Sequence, residues 1–338
     1  MSNEVLEKLI RDYLELDFQV AGFAWQGGEP TLMGLEFYEK VIELQKKYGR
    51  SGQQISNSLQ TNAILLNDKW CKFLHDNNFL LGISIDGPKE LHDFYRLDHA
   101  GVGTFEKVIA GIEKCREYEV EFNTLTLLNA QNVELPDKIF DFLIGLGVKF
   151  MQFIPCVEID PFTKKIADFS ITPEQYGEFL CKIFDLWSSY SPGELSIRDF
   201  DSILSYCVSG RHSICTYSNR CSQYIVIEHN GDAFCCDFFV EPEWRLGNIL
   251  ETPIEKLAAG SMKLKFSRAK QNLSNKCLIC RYMSVCRGGC LKNRLSSCEH
   301  DFSKETYFCE SYKQFFDYSM PKFMQIAAQI SAQMSNRR

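Results

Sequence analysis

The sequence predicts an α/β fold in which an open or partial (β/α) barrel is followed by a small cysteine-rich domain. In the first two-thirds of the chain, amphipathic helical patterns alternate with short apolar runs at intervals of roughly 30–40 residues. Polar or glycine-bearing turns follow several of these runs, at the strand ends where barrel enzymes place their chemistry. Eleven of the 15 cysteines lie between Cys207 and Cys309.

Each predicted helix of the first part carries apolar residues three or four positions apart, and most of the predicted strands are short apolar runs. The first helix, for example, places Val5, Leu9 and Ile10 on one stripe, and the strand after it closes on a polar turn. In chain order, helices are predicted at 3–16, 35–47, 69–77, 104–118 and 135–146, and strands at 18–25, 54–59, 79–85, 120–128 and 149–157.

The pattern becomes helical over 173–190 and 197–208, and changes to short strands and turns after Gly210. Two apolar runs, 224–228 and 233–239, flank Asn230-Gly231, which is a strong hairpin signal. A last helix is predicted near 312–334. We therefore predict three parts: a barrel at 1–208, a cysteine-rich domain at 209–312, and a C-terminal helix at 313–338.

Composition limits the possible functions. The 338-residue chain has a net charge of −7 and no basic run, so nucleic acid is not an expected partner. No apolar stretch approaches the roughly 18–20 residues that a membrane span requires, so we expect no membrane partner. The first residues do not resemble a signal peptide, and we expect a cytoplasmic protein.

The cysteine spacing predicts metal binding. One run has the pattern Cys-x2-Cys-x5-Cys-x3-Cys with a further cysteine downstream, and an upstream pair has the spacing Cys-x5-Cys. Two four-cysteine sites, for zinc or for [4Fe–4S] clusters, would use all eight thiols. A single CxxC and no histidine at zinc-finger spacing favour iron–sulfur, and a disulfide-bonded domain suits a cytosolic chain least. The eight cysteines are Cys215, Cys221, Cys236, Cys277, Cys280, Cys286, Cys290 and Cys309.

Two turn motifs complete a resemblance. The turn Gln26-Gly27-Gly28-Glu29-Pro30 follows the first predicted strand, and Ser84-Ile85-Asp86-Gly87-Pro88 follows a later one. With the cysteine pattern, they resemble a radical SAM enzyme with a SPASM domain. The segments FAWQGGEPT, GISIDGP, HDFYR, FCCDF and CRGGC are similar to anaerobic sulfatase-maturating enzymes. The resemblance implies a partial (β/α)6 radical SAM barrel and a C-terminal SPASM domain containing a β-hairpin.

The sequence departs from that family in one respect, because it contains no CxxxCxxC motif. In the family this motif follows the first barrel strand and holds the [4Fe–4S] cluster that cleaves S-adenosylmethionine (SAM). We therefore expect that the first strand and its cluster loop are missing, through an internal start site or as a natural remnant, and that the chain as written is catalytically incomplete.

The resemblance implies oxidation of a sulfatase cysteine or serine to formylglycine (3-oxoalanine) by SAM-derived hydrogen abstraction. It implies a sulfatase polypeptide or peptide as substrate and an electron donor such as flavodoxin or ferredoxin. Asp237 corresponds to the proton acceptor, and a carboxylate next to Cys236 in an apolar run would be partly desolvated, as suits a base. Gln26 corresponds to a substrate contact. SAM contacts are implied for Gly27, Gly28, Glu29, Ser84, Arg96 and Val157.

The resemblance also divides the cysteines between two auxiliary [4Fe–4S] clusters. One set is Cys215, Cys221, Cys236 and Cys290, and the other is Cys277, Cys280, Cys286 and Cys309. All-cysteine ligation leaves no open iron site, which favours electron transfer over substrate ligation. Two alternatives stay open: another SPASM peptide modifier that forms thioether or carbon–carbon crosslinks, and a non-catalytic iron–sulfur remnant.

Overall fold

In the computed structural model, which describes residues 1–296 and 299–335, six parallel strands form one sheet. Their order in the sheet follows the chain, as in a (β/α) barrel, whereas a doubly wound sheet reverses its order at a switch point. The strands are β1 (Val20–Trp25), β2 (Gln54–Thr61), β3 (Phe79–Ser84), β4 (Phe122–Leu128), β5 (Phe150–Pro155) and β6 (Ser196–Ile197).

Helices separate these strands. They are α1 (Asn3–Leu14), α2 (Leu35–Tyr48), α3 (Asp68–Asp76), α4 (Lys89–Tyr95), α5 (Phe105–Glu117), α6 (Pro136–Gly145), α7 (Pro173–Trp187) and α8 (Arg198–Ser209). Two elements of this first series, β1–β6 and α1–α8, were not predicted from the sequence. Helix α4 has seven residues, too few to display a helical period, and β6 has two residues at the start of a predicted helix.

The chain divides into two compact units, which are described separately. The first comprises Met1–Ser84, Glu106–Phe122 and Cys221–Arg268. Its main core joins α1, β1 and α2 through Leu6, Ile10, Leu14, Ala21, Phe23, Val41 and Leu44, all of which are at most 7% exposed. The apolar stripe that predicted α1 is therefore buried in two places: Ile10 joins this core, whereas Val5 packs with Ala233 and Ile249 in a second cluster.

The first unit also contains a small antiparallel sheet of β7 (Val226–Ile227), β8 (Asp232–Phe234) and β9 (Arg245–Asn248). Val226 pairs with Phe234, and Gly231 in the turn has φ of +89°. The predicted hairpin therefore forms, with shorter strands than 224–228 and 233–239. Helices α9 (Ile254–Ala259) and α10 (Ser261–Ala269) follow.

The second unit comprises Ile85–Phe105, Asn123–Arg220 and Ala269–Arg338. Its last helix, α13 (Cys309–Ser335), packs against α7 and α8 through aromatic rings, with Phe200 stacked on Phe315 at 5.3 Å. The cysteine-rich segment forms short elements: α11 (Asn275–Leu278), α12 (Met283–Cys286), β10 (Leu295–Ser296) and β11 (Glu299–His300). Cys298, and residues 336–338 of the predicted C-terminal helix, lie outside the described residues.

None of the helices within the described ranges is both long enough and apolar enough to cross a membrane.

Candidate functional site

The turn after β1 exposes backbone at the carboxyl end of the sheet. Gly27 and Gly28 are exposed and have φ values of +101° and +52°, which L side chains rarely adopt. The Glu29 carboxylate accepts hydrogen bonds from the backbone N–H of Asn62 (2.8 Å) and the hydroxyl of Thr61 (2.7 Å). Glu29 therefore fastens the turn to the end of β2 and leaves the two glycines exposed.

Asp237 lies in a hydrogen-bonded group in the first unit. The Tyr224 hydroxyl donates to Oδ1 at 2.7 Å, and Gln26 Nε2 donates to Oδ2 at 3.3 Å. The Cys236 thiol also donates to Oδ1, at 3.2 Å. The predicted proton acceptor, substrate contact and cluster ligand are therefore neighbours within one unit.

The sequence places Tyr224 beside this carboxylate through the hairpin. The pairing of Val226 with Phe234, continued two residues past both strands, sets Tyr224 opposite Cys236. Lys263, only 5% exposed, donates from Nζ to the carbonyl of Tyr224 (2.6 Å) and to that of Cys235 (2.8 Å). The ammonium thus bridges the two segments where the strand ladder has ended.

The surroundings of Cys236 favour its thiol over the thiolate. Burial, and then the charge of Asp237, raises the pKa of the Cys236 thiol, while the backbone N–H of Phe238 bonds its sulfur and acts in the opposite direction. Burial of the Tyr224 hydroxyl, followed by the charges of Cys236 and Asp237, raises the pKa of Tyr224, so the phenol keeps its proton. Thiolate formation at Cys236 therefore needs a compensating positive charge, which iron supplies.

In the second unit, four predicted ligands line one cavity. Cys277, Cys280, Cys286 and Cys309 all face it and none forms a disulfide bond. Tyr282, Thr306, Tyr312 and Phe316 complete much of its wall. Burial raises the pKa of Cys286 to about 12 and that of Cys309 to about 11.

The CRGGC segment forms a tight turn around the Cys286 sulfur. The backbone N–H groups of Gly288 and Gly289 bond that sulfur, as is common for cluster ligands. A Cβ on Gly288 would lie 2.4 Å from Nη2 of Arg294, so the position requires glycine. Arg294 is fully buried and donates to the carbonyls of Gly288 (3.1 Å), Asn272 (2.9 Å) and other residues of the segment.

The four cysteines around this cavity are the donor set that a [4Fe–4S] cluster uses. In the described part of the chain, no group of three or more His, Cys, Asp or Glu side chains is arranged to hold one ion. A [4Fe–4S] cluster instead binds each cysteine to a different iron, and so needs four thiols spread around a cavity. The set Cys277, Cys280, Cys286 and Cys309 has that arrangement, and its iron ligation stays a prediction.

The other predicted set is divided between the two units. Cys221 and Cys236 belong to the first unit, and Cys215 and Cys290 to the second. The carbonyl of Cys215 accepts a hydrogen bond from Lys270, a buried lysine. Their joint ligation of one cluster remains a prediction.

Arg96 is paired within the second unit. Its Nε and Nη2 both donate to the carboxylate of Asp86, whose side chain is 3% exposed. The backbone N–H of Leu127 donates to the same carboxylate at 2.9 Å. Asp86 therefore fixes the direction of the guanidinium, which has further N–H groups for a ligand carboxylate.

His92 supports the same loop. The Asp86 N–H lies 3.4 Å from Nδ1, and Nε2 lies 3.1 Å from the Thr104 hydroxyl, which in turn donates to the carbonyl of Arg96. This network assigns the Nε2–H tautomer. Burial, with a smaller effect of the Arg96 charge, lowers the pKa of His92 to about 4.

The remaining predicted SAM contacts lie at strand ends. Ser84 is the half-buried last residue of β3, in the first unit. Val157 follows β5 in the second unit, and its side chain is 2% exposed while its carbonyl accepts a hydrogen bond from Lys292 (3.1 Å). Contact of these residues with SAM stays a prediction.

Sequence reasoning missed Tyr224, Lys263 and the pairing of Asp86. Asp86 belongs to the turn motif at 84–88, but the sequence assigned it no role. Its separation of ten residues from Arg96 did not indicate a contact. Tyr224 had one usable signal, because the turn at Asn230-Gly231 sets it opposite Cys236 in the continued hairpin register. Lys263 had none, since a lysine in an amphipathic helix usually faces solvent.

Comparisons with known proteins identify the family of the chain. A model of the radical SAM superfamily matches residues 1–143, and one of the SPASM domain, an iron–sulfur cluster-binding domain, matches residues 215–281. The chain is 37% identical to the cysteine-type anaerobic sulfatase-maturating enzyme of Clostridium perfringens strain 13, covering 98% of this chain and 90% of that protein. It is 38% identical to the serine-type enzyme of Bacteroides thetaiotaomicron, covering 95% of this chain and 81% of that protein.

The solved structure of native anSMEcpe with bound AdoMet and Cp18Cys peptide superimposes with a TM-score of 0.92 at 37% identity, covering 98% of this chain and 92% of that one. The resemblance seen in the turn and cysteine motifs is therefore confirmed over nearly the whole chain. The protein belongs to the radical SAM superfamily and, within it, to the family of anaerobic sulfatase-maturating enzymes, with a SPASM domain.

Proposed function

We propose that the protein oxidises the Cβ of a cysteine or serine in a sulfatase polypeptide to the aldehyde of formylglycine. The observation that carries the proposal is the Asp237 carboxylate, which lies beside Cys236 and is hydrogen-bonded to Gln26. A base at the substrate-contacting end of the turn after β1 is what removal of a thiol or hydroxyl proton requires. The relatives named for this activity support the same substrate class.

SAM and iron–sulfur clusters, when bound, supply the radical that removes one Cβ hydrogen and accept the further electron. We expect Gly27, Gly28, Ser84, Arg96 and Val157 to contact SAM, with Glu29 shaping the glycine turn. One auxiliary [4Fe–4S] cluster would be held by Cys277, Cys280, Cys286 and Cys309, and the other by Cys215, Cys221, Cys236 and Cys290.

The protein's own part in the chemistry is proton transfer. After loss of the Cβ hydrogen atom, the substrate loses one electron and the proton on its Sγ or Oγ, and a C=S or C=O bond forms. Asp237 accepts that proton. For a serine the product is formylglycine directly, and for a cysteine water replaces sulfur at the thioaldehyde and releases hydrogen sulfide.

The expected substrate, electron donor and cellular compartment follow from the same chemistry. We expect an unfolded or exposed sulfatase segment as the substrate, since solved structures of anSMEcpe hold bound peptides. A small electron carrier such as flavodoxin or ferredoxin would supply electrons. Cys277, Cys280, Cys286 and Cys309 carry free thiols, which a reducing cytoplasm maintains.

The test is direct oxidation of a peptide. A version of the enzyme to which a CxxxCxxC cluster loop has been added, used for every activity measurement below, is reconstituted with iron and sulfide. It is then incubated anaerobically with SAM, reductant and a sulfatase peptide that carries the target cysteine or serine. Mass spectrometry should detect formylglycine at that position and 5′-deoxyadenosine in solution. A crosslinked peptide, or 5′-deoxyadenosine without any peptide oxidation, would contradict the proposal.

A further inference from the structure

The Tyr224 hydroxyl is close to both groups that the proposed chemistry uses at this end of the hairpin. It is 2.7 Å from Asp237 Oδ1 and 3.6 Å from the Cys236 sulfur. We propose that Tyr224 is a positioning residue that orients the Asp237 carboxylate toward the substrate. The inference rests on the proposed function, because it assigns a partner to the proposed base.

The two oxygens of the carboxylate have different donors. Oδ1 accepts from the phenol of Tyr224, and Oδ2 accepts from the amide of Gln26 at a longer distance, 3.3 Å. The shorter bond holds Oδ1, and the longer bond leaves Oδ2 on the side of the predicted substrate contact. A general base needs one oxygen within hydrogen-bond reach of the proton it removes, and a fixed carboxylate plane provides this.

Cluster binding makes Tyr224 more important for Oδ1. In the structure, Oδ1 accepts hydrogen bonds from both the phenol and the Cys236 thiol. Cysteine ligates iron as the thiolate, which has no proton to donate. When Cys236 is a ligand, Tyr224 is therefore the one of these two donors that can still hold Oδ1. The Tyr224 hydroxyl then lies between the Cys236 thiolate and the Asp237 carboxylate.

The fold holds this phenol from its backbone. Hairpin register sets Tyr224 opposite Cys236, and buried Lys263 bonds the carbonyls of Tyr224 and Cys235. The backbone of Tyr224 is thereby tied to the segment that carries Asp237, although 42% of the residue is exposed.

The experiment compares Tyr224→Phe with the unchanged holoenzyme at matched iron loading. The measured quantity is the ratio of formylglycine formed to 5′-deoxyadenosine released. Loss of a hydrogen bond to a charged group predicts a fall in that ratio of about tenfold or more. The electron paramagnetic resonance spectrum of the reduced clusters should not change, because phenylalanine leaves all the thiols in place.

Two further variants make the result specific. Tyr318→Phe is the matched control, because Tyr318 is also about half exposed and its hydroxyl donates to Asp185 at 2.6 Å, away from the predicted ligands. It should leave the ratio unchanged. In the Asp237→Asn background, Tyr224→Phe should cause no further fall, because both substitutions would remove one function.

The outcomes separate the inference from the proposed function. If the unchanged enzyme forms no formylglycine, the proposed function fails. If the unchanged enzyme is active and Tyr224→Phe keeps its ratio, or lowers product only in proportion to lost iron, Tyr224 does not position the base. An additive fall in the double variant would also overturn the inference, since Tyr224 would then act independently of Asp237.

Discussion

Asp86 and Arg96 form a two-point ion pair in which the carboxylate is almost completely buried and the guanidinium is partly exposed. The Leu127 N–H supplies a third hydrogen bond to Asp86, so the carboxylate is well satisfied inside the protein. The arginine predicted to bind the SAM carboxylate is thus oriented by an internal partner, which both motifs contribute: Asp86 from the loop after β3 and Arg96 from the end of α4.

The first prediction concerns the stability of this pair. Arg96→Met keeps much of the side-chain length but leaves a buried carboxylate without its counter-charge. Breaking a buried pair usually costs about 3–5 kcal/mol, and the partial exposure of Arg96 reduces our expectation to about 2–3 kcal/mol. Urea denaturation of the reconstituted protein measures this difference in the free energy of unfolding.

Arg50→Met is the control for that measurement. Arg50 pairs with Asp17 at 2.6 Å, but their side chains are 43% and 89% exposed. An exposed ion pair contributes less than about 1 kcal/mol, so the free energy of unfolding of this variant should be close to that of the unchanged protein. Equal losses in the two variants would show that the Asp86 pair has no special contribution.

The second prediction is a pH dependence caused by His92. Its pKa is lowered to about 4 by burial in the folded state, whereas an unfolded histidine has a pKa near 6.5. The unfolded chain therefore binds the proton first as the pH falls, and stability decreases between about pH 6.5 and pH 4. The expected loss from this one group is about 1.4 kcal/mol per pH unit over that window.

His92→Gln should reduce the slope of unfolding free energy against pH between pH 7 and pH 5. Parallel slopes for His92→Gln and the unchanged protein would mean that His92 does not titrate between these states. Because only the slopes are compared, differences in absolute stability between the two proteins do not affect the result.

Sequence patterns predicted the fold where the elements are long. Helix α1 has a clear helical period and strand β3 is a nearly continuous apolar run, and their observed bounds differ from the predicted ones by two residues or fewer. Elements such as α4 and β6 are too short to show a period. The hairpin strands, of two and three residues, are likewise set by turn geometry and neighbouring contacts more than by their own residues.

The candidate site was predictable where its chemistry is local in sequence. The glycine turn at 26–30 and the cysteine spacing are motifs of residues close together in the chain, so the residue order itself indicates their function. The partners of Asp237 and Arg96 are not adjacent to them in the sequence. Strand register places Tyr224 beside Asp237, and the return of the chain after α4 brings Arg96 back to Asp86. Such contacts depend on tertiary structure, which one sequence does not display.

The third prediction concerns iron. The 338-residue chain, reconstituted anaerobically, should bind about eight iron and about eight sulfide ions, as expected for two [4Fe–4S] clusters. Cys277→Ser or Cys309→Ser should lower both values by about half, since each removes one ligand of the cavity in the second unit. Iron and sulfide analysis with visible absorbance measures the change. Binding of zinc without sulfide would contradict the prediction of two [4Fe–4S] clusters.

Cys207→Ser is the control for loss of iron. Cys207 is a half-buried thiol in α8 and belongs to neither predicted set of ligands. It should keep the full iron and sulfide content. A loss equal to that of Cys277→Ser would indicate general damage to the protein instead of a missing ligand.

The last prediction tests the base itself. Asp237→Asn keeps the shape of the side chain and an oxygen that can accept from Tyr224, but an amide cannot take a proton near neutral pH. Loss of a general base typically costs about 10²–10⁴-fold, so formylglycine per 5′-deoxyadenosine should fall by that order at matched iron loading. Asp185→Asn is the matched control, because Asp185 also accepts a tyrosine hydroxyl, that of Tyr318. If Asp237→Asn kept both the ratio and the rate, the substrate proton would have to leave by another route, and Asp237 would serve only to brace the turn after Cys236.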